Sequence, residues 1–161
     1  MIYLLRHGDA ERGDGEDAAR RLTAKGERQS EVAGRALAAL GIEIEACLTS
    51  PKVRAADTAR LACQSLGVEP EIATGLSGGG FDSTGLAAGR GETMLVGHEP
   101  SFSDEIARLT GAKAKLRKGG LAIVDGTTLL ALMRPDDLAA IAAPRPNRSR
   151  PSGSAPTAHG R

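Results

Sequence analysis

The first eight residues constrain this chain most. Met1 to Leu5 is a continuous apolar run, too short for a helix and cut off at once by charge, so it reads as a buried strand. The run ends in Arg6-His7-Gly8, which delivers a guanidinium and an imidazole together to the edge of a sheet. Gly8 lets the backbone turn sharply, or lie close to a ligand, without a Cβ clash. In an open α/β sheet that edge is where ligands bind. A neutral imidazole beside a guanidinium suits attack on phosphorus, the one as nucleophile and the other as holder of the anionic oxygens.

The rest of the chain alternates helical and strand patterns. Glu11 to Arg21 is charged and Gly-containing, hence a loop. Thr23 is a fitting N-cap for a helix over 23–40, whose Val32, Ala33, Ala36, Leu37 and Leu40 share a face, with Gly41 as its stop. Ile44 to Thr49 reads as a second strand. Ser50-Pro51 then supplies an N-cap and first helical residue, placing Arg54 in the first turn of a helix that runs to Gly67. Glu69 to Ala73 is an edge strand because of Pro70. Gly75 to Gly91 is a glycine-crowded loop with one helical turn near Leu86 to Ala88. Thr93 to Gly97 is an apolar strand with His98 at its tip, repeating the layout of the first motif. A helix over 101–109 stops at Gly111, and the basic stretch Ala112 to Lys118 reads as a loop. Leu121 to Val124 and Thr128 to Met133 are joined at Asp125-Gly126, a hairpin turn signal. Asp136 to Ile141 closes the domain as a short helix.

A length of 161 residues fits one domain, here residues 1–141. Aromatic residues are only 2% of the chain, so Ala, Leu, Val and Ile must build the core. Residues 142–161 carry four Arg, four Pro and no acid, and are expected to form a disordered basic tail. Without them the body holds seventeen basic against twenty acidic side chains, a net of −3. That argues against general nucleic-acid binding and requires any phosphate site to be a local basic pocket. Cys47 and Cys63 lack metal-ligand or Cys-x-x-Cys spacing and are expected as reduced core thiols. No signal peptide or membrane span is visible, so the expected location is cytoplasmic.

Arg6-His7-Gly8, followed in order by Leu48-Thr49-Ser50-Pro51 through Arg54-Ala55, by Thr58-Ala59 and by Val96-Gly97-His98-Glu99-Pro100, resembles the histidine phosphatase (phosphoglycerate mutase-like) superfamily. The small size is similar to the SixA-type phosphohistidine phosphatases. Leu22, Thr23 and Gly26 fit the same pattern. The resemblance implies a three-layer α/β sandwich, with a mostly parallel central sheet and helices on both faces. It implies catalytic roles for His7, Arg6, Arg54 and His98. His7 is the nucleophile; Arg6, Arg54, His98 and Gly8 hold the phosphoryl group. No metal or cofactor is implied. A metal site from His7, Asp9 and His98 is disfavoured, because the neighbouring arginines would repel a cation.

A general acid is harder to place. Larger members of the superfamily carry a glutamate on an inserted helical segment after the second helix, and Gly67 to Glu92 is too short for one. Asp9, Asp82, Glu92 and Glu99 are the remaining carboxylates, with none favoured. A phosphoramidate has a labile P–N bond and a readily protonated leaving nitrogen, so it needs less help from an acid. The expected substrate is therefore a phosphorylated protein of the histidine-phosphotransfer type, in a signalling role. The alternatives are a small-molecule phosphomonoesterase and a non-catalytic phospho-ligand binding module. Neither nucleic acid nor membrane is expected as a partner.

Overall fold

The computed structural model describes residues 1–146. From residue 147 on, the expected basic tail lies outside the described residues.

Six strands form one sheet: β1 (Ile2–Arg6), β2 (Ala46–Thr49), β3 (Pro70–Ile72), β4 (Thr93–Gly97), β5 (Leu121–Asp125) and β6 (Thr128–Met133). Their order is β3-β2-β4-β1-β5-β6, with β3, β2, β4 and β1 mutually parallel. Strand β5 runs antiparallel to β1 and β6 antiparallel to β5. The expected mostly parallel sheet is therefore present, with the hairpin at one edge and the Pro70 strand at the other.

Strand alternation divides the core in two. Tyr3 and Leu5 of β1, with Met94 and Val96 of β4, pack on helices α1 (Ala24–Ala39), α2 (Val53–Cys63) and α5 (Pro135–Ala142). The intervening Leu4 and Leu95 pack on the opposite face, against Phe102 and Ile106 of α4 (Ser101–Thr110) and against Leu116. Burial on both faces is why β1 and β4 read as unbroken apolar runs rather than alternating ones. Cys47 and Cys63 are free thiols buried in the first cluster, in contact with each other.

With so few aromatics, the helices close the gap by approaching each other. Ala33, Ala36, Ala55, Ala59 and Ala62 are fully buried between α1, α2 and the sheet. At Gly34 a Cβ would lie 2.1 Å from the carbonyl oxygen of Ala62.

Several boundaries differ from the sequence reading. Helix α2 starts at Val53 with Lys52 as N-cap, not at Ser50-Pro51, although the Ser50 hydroxyl still accepts from the Lys52 N–H at 3.2 Å. It ends at Cys63 rather than near Gly67, whose left-handed φ of +67° closes the following turn. The glycine-rich stretch holds a 3₁₀ turn at Thr74–Leu76 and α3 (Ser83–Ala87), slightly ahead of the expected position. The buried Glu105 carboxylate of α4 accepts from the backbone and hydroxyl of Ser83 and fixes that start. The loop after β1 contains a 3₁₀ turn at Asp17–Ala19. No helix among the described residues is long and apolar enough to cross a membrane.

Alanine in place of glycine normally favours an exposed helix by about 1 kcal/mol. At Gly34 the sign should reverse, since the new methyl would have to push two backbones apart. Gly34→Ala is expected to cost roughly 2–3 kcal/mol, read as a lower urea midpoint with an unchanged m-value.

Candidate active site

His7 sits where β1 leaves the sheet. Its Nδ1 lies 2.7 Å from the Gly8 carbonyl, which can only accept. The ring proton is therefore on Nδ1, and Nε2 carries the lone pair. Gly8 itself is clamped. Its N–H donates to Thr58 Oγ1 at 3.1 Å. A Cβ on it would meet the Gly26 carbonyl of α1 at 2.5 Å. Thr58 in turn donates to the Arg54 carbonyl and lies 3.2 Å from Ser30 Oγ. The polar groups of Gly8 are all engaged within the protein, and its missing side chain makes room for α1.

Arg54, the second residue of α2, is buried and points at the same ring. Its Nε–H is directed at His7 Nε2 across 3.4 Å. Its other edge is taken by Asp17: Nη1 donates to the Asp17 carbonyl at 2.8 Å and Nη2 to the carboxylate at 3.3 Å. Lys52 and Arg20 reach the same carboxylate at 3.0 and 3.1 Å. Asp17 is thus the hub that sets the angle of Arg54, and sequence reasoning did not single it out. It stands among Glu11, Asp14 and Glu16 in a charged loop with no periodicity to mark it.

His98 follows β4, the parallel neighbour of β1, so the two imidazoles arrive side by side. Their centroids are 5.2 Å apart and their planes inclined by 52°. His98 Nε2 is 2.7 Å from Ser50 Oγ, and that oxygen accepts from the Lys52 N–H. Ser50 is therefore a site residue as well. Arg6 stands nearby but is tied back, its Nη1 donating to the Leu116 carbonyl at 2.8 Å. Arg6 Nε and His98 Nδ1 are buried with no partner among the described residues, so this cluster retains unused hydrogen-bonding capacity.

Electrostatics follow from burial among cations. Burial lowers the pKa of His7 to about 4, and Arg54, Arg6 and Lys118 reinforce the shift against the opposing Gly8 hydrogen bond. His98 falls to about 3 through burial, His7 and Arg54. Near neutrality both rings are uncharged. Asp17 is held well below the usual carboxylate range by its hydrogen bonds to Lys52 and Arg54. It is an anion at any working pH, not a proton donor.

Each of the four carboxylates considered as acids has its own partner in the chain, although Glu99 also keeps a buried, unpartnered Oε1 close enough to Arg6 to act on its charge. Glu92 bonds Tyr3 and the N-terminus at the start of β1, the far end of the sheet. Asp82 pairs with Arg108, Asp9 with Thr23 and Lys118, and Glu99 with Ser103. None bonds either imidazole. Asp9 also stays out of reach of a shared ion with His7 and His98, and no group of three or more His, Cys, Asp or Glu among the described residues is placed to hold a metal.

A family model described as the histidine phosphatase superfamily (branch 1) matches residues 2–82. An uncharacterized protein of Picosynechococcus sp. is 36% identical over 134 residues, 74% of this chain and 81% of that protein. Among solved structures, the protein histidine phosphatase SixA complexed with tungstate has a TM-score of 0.74 at 24% identity, covering 85% of this chain and 98% of that one. Phosphoserine phosphatase from Entamoeba histolytica in complex with 3-phosphoglyceric acid reaches 0.64 at 16% identity, over 85% and 98%. At such identities the structural likeness speaks for the fold.

The depressed imidazoles make the fold acid-sensitive. In the unfolded chain a histidine titrates near pH 6.5, whereas in the fold these two titrate near 4 and 3. Below about 6.5 the unfolded state binds more protons, so stability present above that pH is lost as pH falls through 4. Urea midpoints at pH 7.5 and 4.5 should fall markedly for the wild type. The drop should be smaller for a doubly substituted His7→Ala/His98→Ala chain.

Proposed function

The chain belongs to the histidine phosphatase superfamily and is a phosphatase of that kind; we propose that it acts through a covalent phosphohistidine on His7, with phosphohistidine in a signalling protein as substrate. The observation that carries the nucleophile assignment is His7 itself: buried, uncharged, tautomer fixed by Gly8, and its Nε2 lone pair facing Arg54.

In the first step Nε2 attacks phosphorus and the P–N bond to the substrate imidazole breaks. The departing nitrogen takes a proton from water. In the second step water attacks the phosphorylated His7, releasing inorganic phosphate and restoring the neutral ring. Arg54 holds phosphoryl oxygens with the N–H groups that Asp17 leaves open. Arg6 adds charge beside it, and His98 donates an N–H as negative charge builds. Preorganised donors of this type carry most phosphoryl-transfer catalysis, on the order of several kcal/mol in total. Asp17 and Ser50 act through Arg54 and His98 as positioning residues.

The substrate class is supported by what surrounds the rings. The one carboxylate bonded to this cluster, Asp17, is clamped as an anion by three cations. A phosphate ester needs its departing alkoxide protonated, and a phosphoramidate leaves as a protonated imidazole with far less assistance. The segment after α2 adds only a short edge strand, one 3₁₀ turn and a five-residue helix, which supports an open entrance. A small-molecule phosphomonoesterase is the second reading, favoured only by the shared fold with phosphoserine phosphatase.

The test is a substrate panel with direct detection of the phospho-enzyme. A phosphohistidine protein, a phosphosugar and a nucleotide are offered at equal concentration, and the protein should be preferred. Preference for either small molecule would overturn the substrate assignment. His7→Ala should abolish both turnover and acid-labile labelling. Binding without any phosphoryl burst in the wild type would identify a binding module instead. Because His7 titrates near 4, the single-turnover labelling rate should stay level between pH 6 and 8. A tenfold decline towards pH 6 would mean that another group is the nucleophile.

A further inference from the structure

The basic stretch after α4 is more than a loop. Residues 112–117 alternate strictly: Ala112, Ala114 and Leu116 turn inward onto the α4 cluster, while Lys113, Lys115 and Arg117 stand in solvent. At about 3.3 Å per residue, an extended chain spreads three such cations along roughly 13 Å of one face. The row runs into the site. The Leu116 carbonyl holds Arg6, and the Gly119 N–H donates to the His7 carbonyl at 2.9 Å.

Where the row meets the site, a cleft of about 420 Å³ opens, lined by Arg6, Lys25, Arg117, Lys118 and Arg134. Its acids, Asp9 and Asp136, are outnumbered. Asp9 pairs with Lys118 at 3.4 Å, and Arg134 is held by Asp137 at 3.0 Å. The side chains of Lys25, Lys113, Lys115 and Arg117 form no ion pair among the described residues. These uncompensated cations gather at one place on a body whose net charge is −3, so they do not reflect a generally basic surface.

We infer that the row Lys113-Lys115-Arg117 and the adjoining cleft form a docking surface for the acidic face of a phosphorylated protein, seated so that its phosphohistidine reaches His7. The inference rests on the reading of the substrate as a protein. A small phosphorylated molecule would sit between Arg54 and the two imidazoles. Lys115 and Lys113, two and four residues back along the extended chain from Arg117, would not touch it. Rim charges of this kind act on encounter rate and on salt sensitivity, because exposed charges are screened beyond about 8 Å at physiological ionic strength.

The test compares two substrates on two proteins. The substrates are a phosphorylated histidine-phosphotransfer domain and N-phosphoimidazole. The proteins are the wild type and Lys113→Glu/Lys115→Glu, which leaves every residue of the cleft and of the catalytic cluster in place. The variant should lose roughly tenfold in kcat/KM on the phosphoprotein, through KM, and keep N-phosphoimidazole turnover within about twofold. Raising salt from 50 to 300 mM should erase most of the difference between the proteins. Lys113→Arg/Lys115→Arg should behave as the wild type. Equal turnover of the phosphoprotein by variant and wild type would overturn the docking surface, as would a parallel loss on both substrates. If the wild type hydrolyses N-phosphoimidazole but ignores the phosphoprotein, the substrate reading itself fails, and that outcome is visible before any variant is made.

Discussion

One clamp of backbone on backbone governs this molecule: the tip of β1 pressed against the first turn of α1. Gly8 and Gly26 meet so closely that a methyl on either would run into main-chain atoms, at 2.5 Å from the Gly26 carbonyl and 1.9 Å from that of Asp9. The contact pins the Gly8 carbonyl, and that carbonyl pins the His7 ring. Thr58 locks the arrangement from α2, accepting from Gly8 and donating to the carbonyl of Arg54. One buried hydroxyl thus ties the backbone beside the nucleophile to the backbone that carries the guanidinium. A buried, fully paired network of this sort holds geometry that exposed side chains could not.

Charge balance explains how the arginines and imidazoles share so small a space. Arg54 faces His7, with Arg6 and Lys118 close enough to act on the ring, so a protonated His7 would be a further cation in a buried site. The ring stays neutral instead, which is the state a nucleophile requires. Asp17 relieves the repulsion from outside, where its carboxylate is more than half exposed while the guanidinium it holds is only 6% exposed. The anion therefore steadies Arg54 without standing between it and the lone pair of His7.

Much of the architecture was legible because it follows from local chemistry. Apolar runs ending in His7 and His98 became adjacent parallel strands, the Pro70 segment became an edge, and Asp125-Gly126 became a hairpin with Gly126 at φ +56°. Thr23 caps α1 through the Gly26 amide. Ser50 misled for an instructive reason. Ser-Pro is a sound helix-start signal, but the helix begins two residues later, and the Ser50 hydroxyl serves both the Lys52 N–H and an imidazole 2.7 Å away. At Gly8 the missing side chain makes room for a helix, since a Cβ there would meet the Gly26 carbonyl at 2.5 Å.

What the sequence determined by itself is the set of chemical parts: a strand-borne Arg-His-Gly, a second histidine on a like strand, an arginine at a helix start, and an apolar pattern sufficient for a covered parallel sheet. Such features depend on neighbours within a few residues, where the spacing of side chains is fixed by helix and strand geometry. Tertiary structure alone decided that Asp17 rather than Asp14 or Glu16 holds Arg54. It also decided that none of the candidate acids bonds either imidazole and that the cations of 112–118 gather beside the site. Those outcomes turn on which loops meet in space, and an irregular loop carries no period from which its side-chain directions could be read.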